Sequence, residues 1–157
     1  MFMHLTEFTD NALRLLFYLG GHQERVATIG EIADRYGVSR HHLAKVSCVL
    51  AASGLIETSR GRLGGMRLAG SPRDIRLGEV VRCTERSLAQ GGVADDPDDR
   101  LQQSLAMATA AYLAELDRVT LADLLADSLA DGEPQRAVPN WLQPASWDRR
   151  HAGAEGA

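Results

Sequence analysis

The sequence predicts a mainly α fold, a winged helix-turn-helix domain with a long dimerisation helix, and three observations carry that reading. Residues 29–50 hold two short helical patterns split by Gly37-Val38-Ser39, the tight turn of a helix-turn-helix. Two β-compatible stretches then flank the run Gly61-Arg62-Leu63-Gly64-Gly65, which reads as a wing. Farther on, Leu101, Leu105, Ala108, Tyr112, Leu113 and Leu116 recur at helical spacing over about five turns, and that apolar stripe needs a partner.

Taken in order, Phe8, Ala12, Leu15, Leu16 and Leu19 share one face of a first helix over residues 8–19, ended by Gly20-Gly21. Thr28 and Glu31 have the spacing of a capping box and open a second helix that runs to Tyr36. Ser39 caps a third helix whose Leu43, Val46 and Leu50 face the core, and Ser53-Gly54 ends it. Residues 55–60 and 66–68 form the strands of the wing. A helix is expected over 77–86 and a polar loop over 87–99, closing on Asp95, Asp96, Asp98 and Asp99. The long helix follows over 98–117, then a helix capped by Thr120 and Asp123 that reaches Ala130, then a proline-containing tail. The organisation expected is a DNA-binding winged helix-turn-helix at 1–82, a linker loop and dimerisation helices at 83–131, and a flexible tail at 132–157.

Composition narrows the function classes. Among 157 residues, 45% are hydrophobic and 24% charged, which is ordinary for a globular chain. No apolar run has the roughly 18 residues of a membrane span, and the N-terminal residues lack the pattern of a signal peptide, so a cytoplasmic protein with reduced thiols is expected. The two cysteines, Cys48 and Cys83, have neither zinc-site nor redox-motif spacing, and both are expected to be buried and inert. The formal charge of −4 hides a division: residues 35–82 carry nine cations against three anions, and residues 83–157 six against thirteen. A basic segment joined to an acidic one is what a chain needs when a single face meets a polyanion. No nucleophile with a paired base, metal triad or phosphate-cradling loop is present in the sequence, so an enzyme is not expected.

The offsets inside the helix-turn-helix have physical reasons. Ala33 is small enough for two helices to cross closely, Gly37 can take a left-handed conformation, and Leu43 and Val46 fill the angle between the helices. Ser39 then leaves Arg40, His41, His42 and Lys45 on the first turns of the third helix, the end that enters a major groove. Arg40 can donate twice to guanine, worth about 1–3 kcal/mol of discrimination, whereas Lys45 suits phosphate as a point charge. Adjacent histidines point about 100° apart on a helix and cannot readily share one ion. In the wing, Arg60, Arg62 and Arg67 lie around Gly61, Gly64 and Gly65, where glycine would let backbone approach phosphates while arginine reaches the minor groove. The candidate DNA-contacting set is Thr28, Ser39, Arg40, His41, His42, Lys45, Arg60, Arg62, Gly64 and Gly65.

These stretches resemble the Rrf2 family of winged-helix regulators, and within it the nitric-oxide-sensitive NsrR group, with IscR more distant. The resemblance rests on Leu5-Thr6-Glu7-Phe8-Thr9-Asp10, on residues 36–43 with Lys45-Val46, on residues 60–65 with Leu68, and on Glu115-Leu116-Asp117 with residues 120–124. It implies a homodimeric repressor on an inverted-repeat operator in double-stranded DNA, with residues 98–117 crossing between subunits. Cluster-bearing members hold an iron–sulfur cluster on three cysteines of the loop before the dimer helix, but residues 87–99 contain none and end in four aspartates. Aspartate is a poor ligand for that soft unit. Asp10 matches the position that supplies a carboxylate ligand from the second subunit in some members, and Cys83 is the single thiol nearby. They are the only candidates for an altered cluster, and no cofactor is expected. Two other readings stand beside the repressor: an iron–sulfur nitric-oxide sensor with these non-standard ligands, and an interaction module of the same fold that docks a partner through Trp141 and Trp147.

Overall fold

The computed structural model describes residues 5–85 and 100–130. Their elements are α1 (Glu7–Gly21), α2 (Ile29–Tyr36), α3 (Arg40–Ala52), β1 (Ile56–Ser59), β2 (Gly65–Leu68), α4 (Leu77–Thr84), α5 (Arg100–Leu116) and α6 (Leu121–Ala130). The aspartate-ended loop and the tail with Trp141 and Trp147 lie outside the described residues. Among those described, no helix is long and apolar enough to cross a membrane.

The first helix is longer than its sequence pattern suggested, and it is enclosed on every side. Residues 11–20 are all buried, with α3, α4, α6 and β2 packed around them. Fully burying a leucine contributes roughly 1.5–3 kcal/mol, so Leu15, Leu16 and Leu19 make α1 the axis of the core. Enclosure also traps Arg14, which is 4% exposed. A buried cation is tolerable only when paired, and Arg14 Nη2 donates to Asp10 Oδ2 at 2.5 Å. At the N-terminus Thr6 caps the helix, its Oγ1 accepting from the Thr9 amide at 3.3 Å. Glu85, just beyond α4, closes that end by accepting from the Thr6 amide at 2.8 Å and from the hydroxyls of Thr6 and Thr9.

Between α2 and α3 the chain turns as the sequence requires. Gly37 adopts φ +64°, and the Val38 amide returns to the Ala33 carbonyl at 3.1 Å. Leu43, Val46 and Leu50 have no exposed surface, and Ala33 is buried where the helices meet. The capping box at the start of α2 is only half formed. Thr28 Oγ1 accepts from the Glu31 amide at 3.2 Å, but the Glu31 carboxylate turns away to Arg25 and to the Tyr18 hydroxyl. An arginine outcompetes a backbone amide for a carboxylate because its bond is charge-assisted. By contrast, Thr120 and Asp123 form the full reciprocal cap of α6, at 2.8 Å and 3.2 Å.

The wing is an antiparallel pair in which Ile56 faces Leu68 and Glu57 faces Arg67. Ala27 adds a bridge to Met66 through two backbone bonds of 2.9 Å and 2.8 Å, tying the wing to the segment before α2. A similar bridge joins Arg76 to Thr120, with Leu77 N donating to Val119 O and Leu121 N to Ile75 O. Beside it, Asp117 at the end of α5 takes both arms of Arg82, while Arg76 donates to its carbonyl at 2.6 Å.

The apolar stripe of α5 is divided. Its C-terminal part, Leu113 and Leu116, packs on α4. Its N-terminal part is exposed, Leu101 by 66% and Leu105 by 53%.

Candidate nucleic-acid interface

Helical geometry divides α3 into two faces, and Leu43, Val46, Ser47 and Leu50 occupy the buried one. His41, His42 and Lys45 are exposed on the other, with Arg40 exposed at the helix start. Ser39 holds that start in place, its Oγ accepting from the His42 amide at 3.5 Å. Thr28 does the same for α2 and is itself exposed, so its own hydroxyl hydrogen remains available to an acceptor. His42 Nδ1 stands 3.8 Å from Glu7 Oε1. Arg40 reaches back to α2, where its Nη2 donates to Asp34 at 3.2 Å and 3.3 Å.

The wing extends from the same body, because β1 packs against α3. Its tip is a tight turn in which Gly61 has φ +109° and the Gly64 amide donates to the Gly61 carbonyl at 2.9 Å. Arg60 and Arg62 are exposed there, beside Leu63 at 91%. Arg67 is engaged within the sheet, its guanidinium bonded to Glu57 across the strands at 2.7 Å. Gly64 and Gly65 are both tightly packed. A Cβ on Gly64 would lie 2.5 Å from the Ser59 carbonyl oxygen, and one on Gly65 would lie 2.8 Å from that of Ala27. Close packing within the hairpin at Gly64, and against the segment before α2 at Gly65, requires glycine at both positions.

The cysteines part company. Cys83 is half-buried in α4, its thiol donating to the Val80 carbonyl at 3.1 Å, and burial pushes its pKa up, as an inert thiol requires. Cys48 is exposed, contrary to the expectation of burial. At 100° per residue, position 48 falls far from Val46 and Leu50 and beside His41 and Lys45. Asp10 is half-buried in the first turn of α1; burial pushes its carboxyl up, and Arg14 pulls it partly back. This donor set does not fit an iron–sulfur cluster. Of the two thiols in the chain one lies on α3 and the other is turned into its own helix, while Asp10 is committed to Arg14. Among the described residues, no group of three or more His, Cys, Asp or Glu could hold a metal ion.

Two carboxylates that organise the molecule gave no local signal in the sequence. Glu85 meets Thr6 from 79 positions away, and Asp34 meets Arg40 across the turn of the helix-turn-helix.

Known proteins share this architecture. A family profile described as "Rrf2: Iron-dependent Transcriptional regulator" matches residues 5–127. Over 134 residues the chain is 45% identical to "HTH-type transcriptional regulator NsrR" of Geobacillus kaustophilus (strain HTA426), covering 80% of this chain and 91% of that protein. The solved structure of T. potens IscR matches with a TM-score of 0.66 at 28% identity, over 89% of this chain and 96% of IscR. CymR (YrzC), the global cysteine regulator of B. subtilis, matches with a TM-score of 0.67 at 24% identity, over 80% of this chain and 98% of CymR, a likeness of fold. Since the profile takes in the helix-turn-helix, the wing and the helices beyond them, the chain belongs to the Rrf2 family of transcriptional regulators and is similar to NsrR.

Proposed function

We propose that the chain is a homodimeric repressor that binds an inverted-repeat operator in the cytoplasm. In this reading the first turns of α3 enter the major groove and Arg60 and Arg62 of the wing reach the adjacent minor groove. The observation that carries it is the exposed set Arg40, His41, His42 and Lys45 on a helix whose opposite face is fully buried. Ser39 and Thr28 add hydroxyls at two helix starts, where backbone amides and the helix dipole also favour phosphate. Gly64 and Gly65 shape the wing that carries these arginines.

The dimer rests on α5. Leu101 and Leu105 lie one turn apart with Ala108 and Tyr112 on the same arc, and a large exposed apolar pair on a long helix marks a protein interface. A second copy of α5 supplies the cover, and pairs the two recognition helices about one turn of DNA apart, roughly 34–36 Å. No cluster is needed for DNA binding in this reading, because the thiolates that would hold one are missing from the chain.

Binding measured across a salt series tests the assignment. Arg40→Ala is expected to relax one base position and cost about 1–3 kcal/mol on the preferred duplex. Lys45→Ala is expected to weaken all duplexes alike and to lower the salt slope by about one. If both variants match the parent at every salt concentration, α3 is not the reading helix.

A further inference from the structure

The guanidinium of Arg40 is tethered by α2. Its Nη2 donates to both carboxylate oxygens of Asp34, at 3.2 Å and 3.3 Å. One turn earlier on the same helix Gly30 lies beside the group: a Cβ there would stand in ordinary contact, 3.5 Å from Cζ, 3.6 Å from Nη2 and 3.7 Å from Nε. An arginine that is 68% exposed is thus given a tether. The pair itself adds little to stability, because exposed ion pairs are screened and cost side-chain freedom. Its effect falls on what Arg40 can do next.

We propose that Asp34 is a positioning residue that sets the base specificity of Arg40, an inference that rests on the reading of Arg40 as a DNA contact. The tether uses one nitrogen and leaves the remaining N–H groups of the fork for a second partner. A guanine edge offers two acceptors in the geometry of that fork, so a pre-aimed guanidinium meets it with less ordering on binding. A phosphate, by contrast, must approach a carboxylate to reach the same group. Asp34 therefore opposes contact with backbone while permitting contact with guanine. It lowers affinity for DNA in general and raises discrimination, which is the use of a repulsive element in specificity.

The test uses the full chain and duplexes selected by it from a random pool. Binding is measured to the selected duplex, to its single-base variants and to an unselected duplex, for the parent, Asp34→Ala, Arg40→Ala and the double variant. Thermal midpoints check that each is folded. We expect Arg40→Ala to erase a guanine preference at one position per half-site. Asp34→Ala should cut that same preference by about fivefold, leave the other positions alone and strengthen binding to the unselected duplex. With Arg40 already removed, Asp34→Ala should change no base preference. Two results would overturn the inference while leaving Arg40 as a reader: no change in preference with Asp34→Ala, or an equal change in both backgrounds, which would make Asp34 a direct contact. If Arg40→Ala alters no base position, the reading beneath it fails as well.

Discussion

Gly37 and Gly21 separate two costs that a glycine substitution usually mixes. Neither has an atom within 4 Å of where a Cβ would stand, but Gly37 sits at φ +64° and Gly21 ends an ordinary helix. Gly37→Ala is expected to lose about 1–2 kcal/mol from backbone strain alone, and Gly21→Ala to be neutral or slightly stabilising, as read from urea unfolding midpoints. Glu31 gives the residue scale its pH dependence. Hydrogen bonds from Arg25 and then Tyr18 hold its carboxyl down at about 2, below the 4.5 of a free group. A depressed folded pKa means stability that is complete above the unfolded value and lost as the pH falls. Thermal midpoints should therefore decline between about pH 5 and 2, less steeply in Glu31→Gln. Much of this was legible in the sequence: Gly37, Thr28 and Ser39 stand in their expected roles because each depends on neighbours within four positions. The other arm of the Thr28 box was not, since Arg25 and Tyr18 compete for Glu31 only once α1 and α2 are folded together. Cys48 was misread although the wheel defined by Leu43, Val46 and Leu50 already placed it outside.

Elements were readable to the extent that their burial is one-sided. The limits of α2 and α3 fall within a residue or two of the sequence pattern, because caps and glycines mark them, whereas α4 has no side-chain cap and ends at Thr84, short of the expected 86. For α1 the pattern marked one face, whereas the fold buries every residue from 11 to 20, the polar Asn11 and Arg14 included. The stripe of α5 was visible in full, yet nothing in its spacing told that Leu113 and Leu116 serve α4 while Leu101 and Leu105 are exposed. That division makes a clean experiment. Leu105→Asp is expected to leave helix content unchanged and to move the chain from dimer to monomer in sedimentation velocity, since it charges an apolar contact without touching the monomer core. A dimer persisting at micromolar concentration would remove α5 from the interface.

At the scale of the molecule, the ties that matter join distant positions: Thr6 with Glu85, Arg82 with Asp117, Arg76 with Thr120. Sequence patterns are local, so the fold class could be read from them while these long-range fastenings could not. The sensing chemistry is likewise a property of the whole donor set. Protein purified without oxygen is expected to be colourless, and iron chelation to leave its affinity for the selected duplex unchanged; a visible absorption band lost together with DNA binding would show that a cluster operates. The fastening at Asp117 has a mechanical meaning. Helix α5 is clamped to the DNA-binding body at its C-terminal end, by Arg82, Arg76 and the bridge to Thr120, and its exposed leucines lie toward the other end. A helix of 17 residues is about 25 Å long, so it is a lever with its fulcrum at Asp117. A tilt of about 8° there displaces the far end by roughly 3.5 Å, close to the rise of one base pair. In the proposed dimer, stiffness at Asp117, Arg82 and Arg76 thus sets how far apart two half-sites can stand.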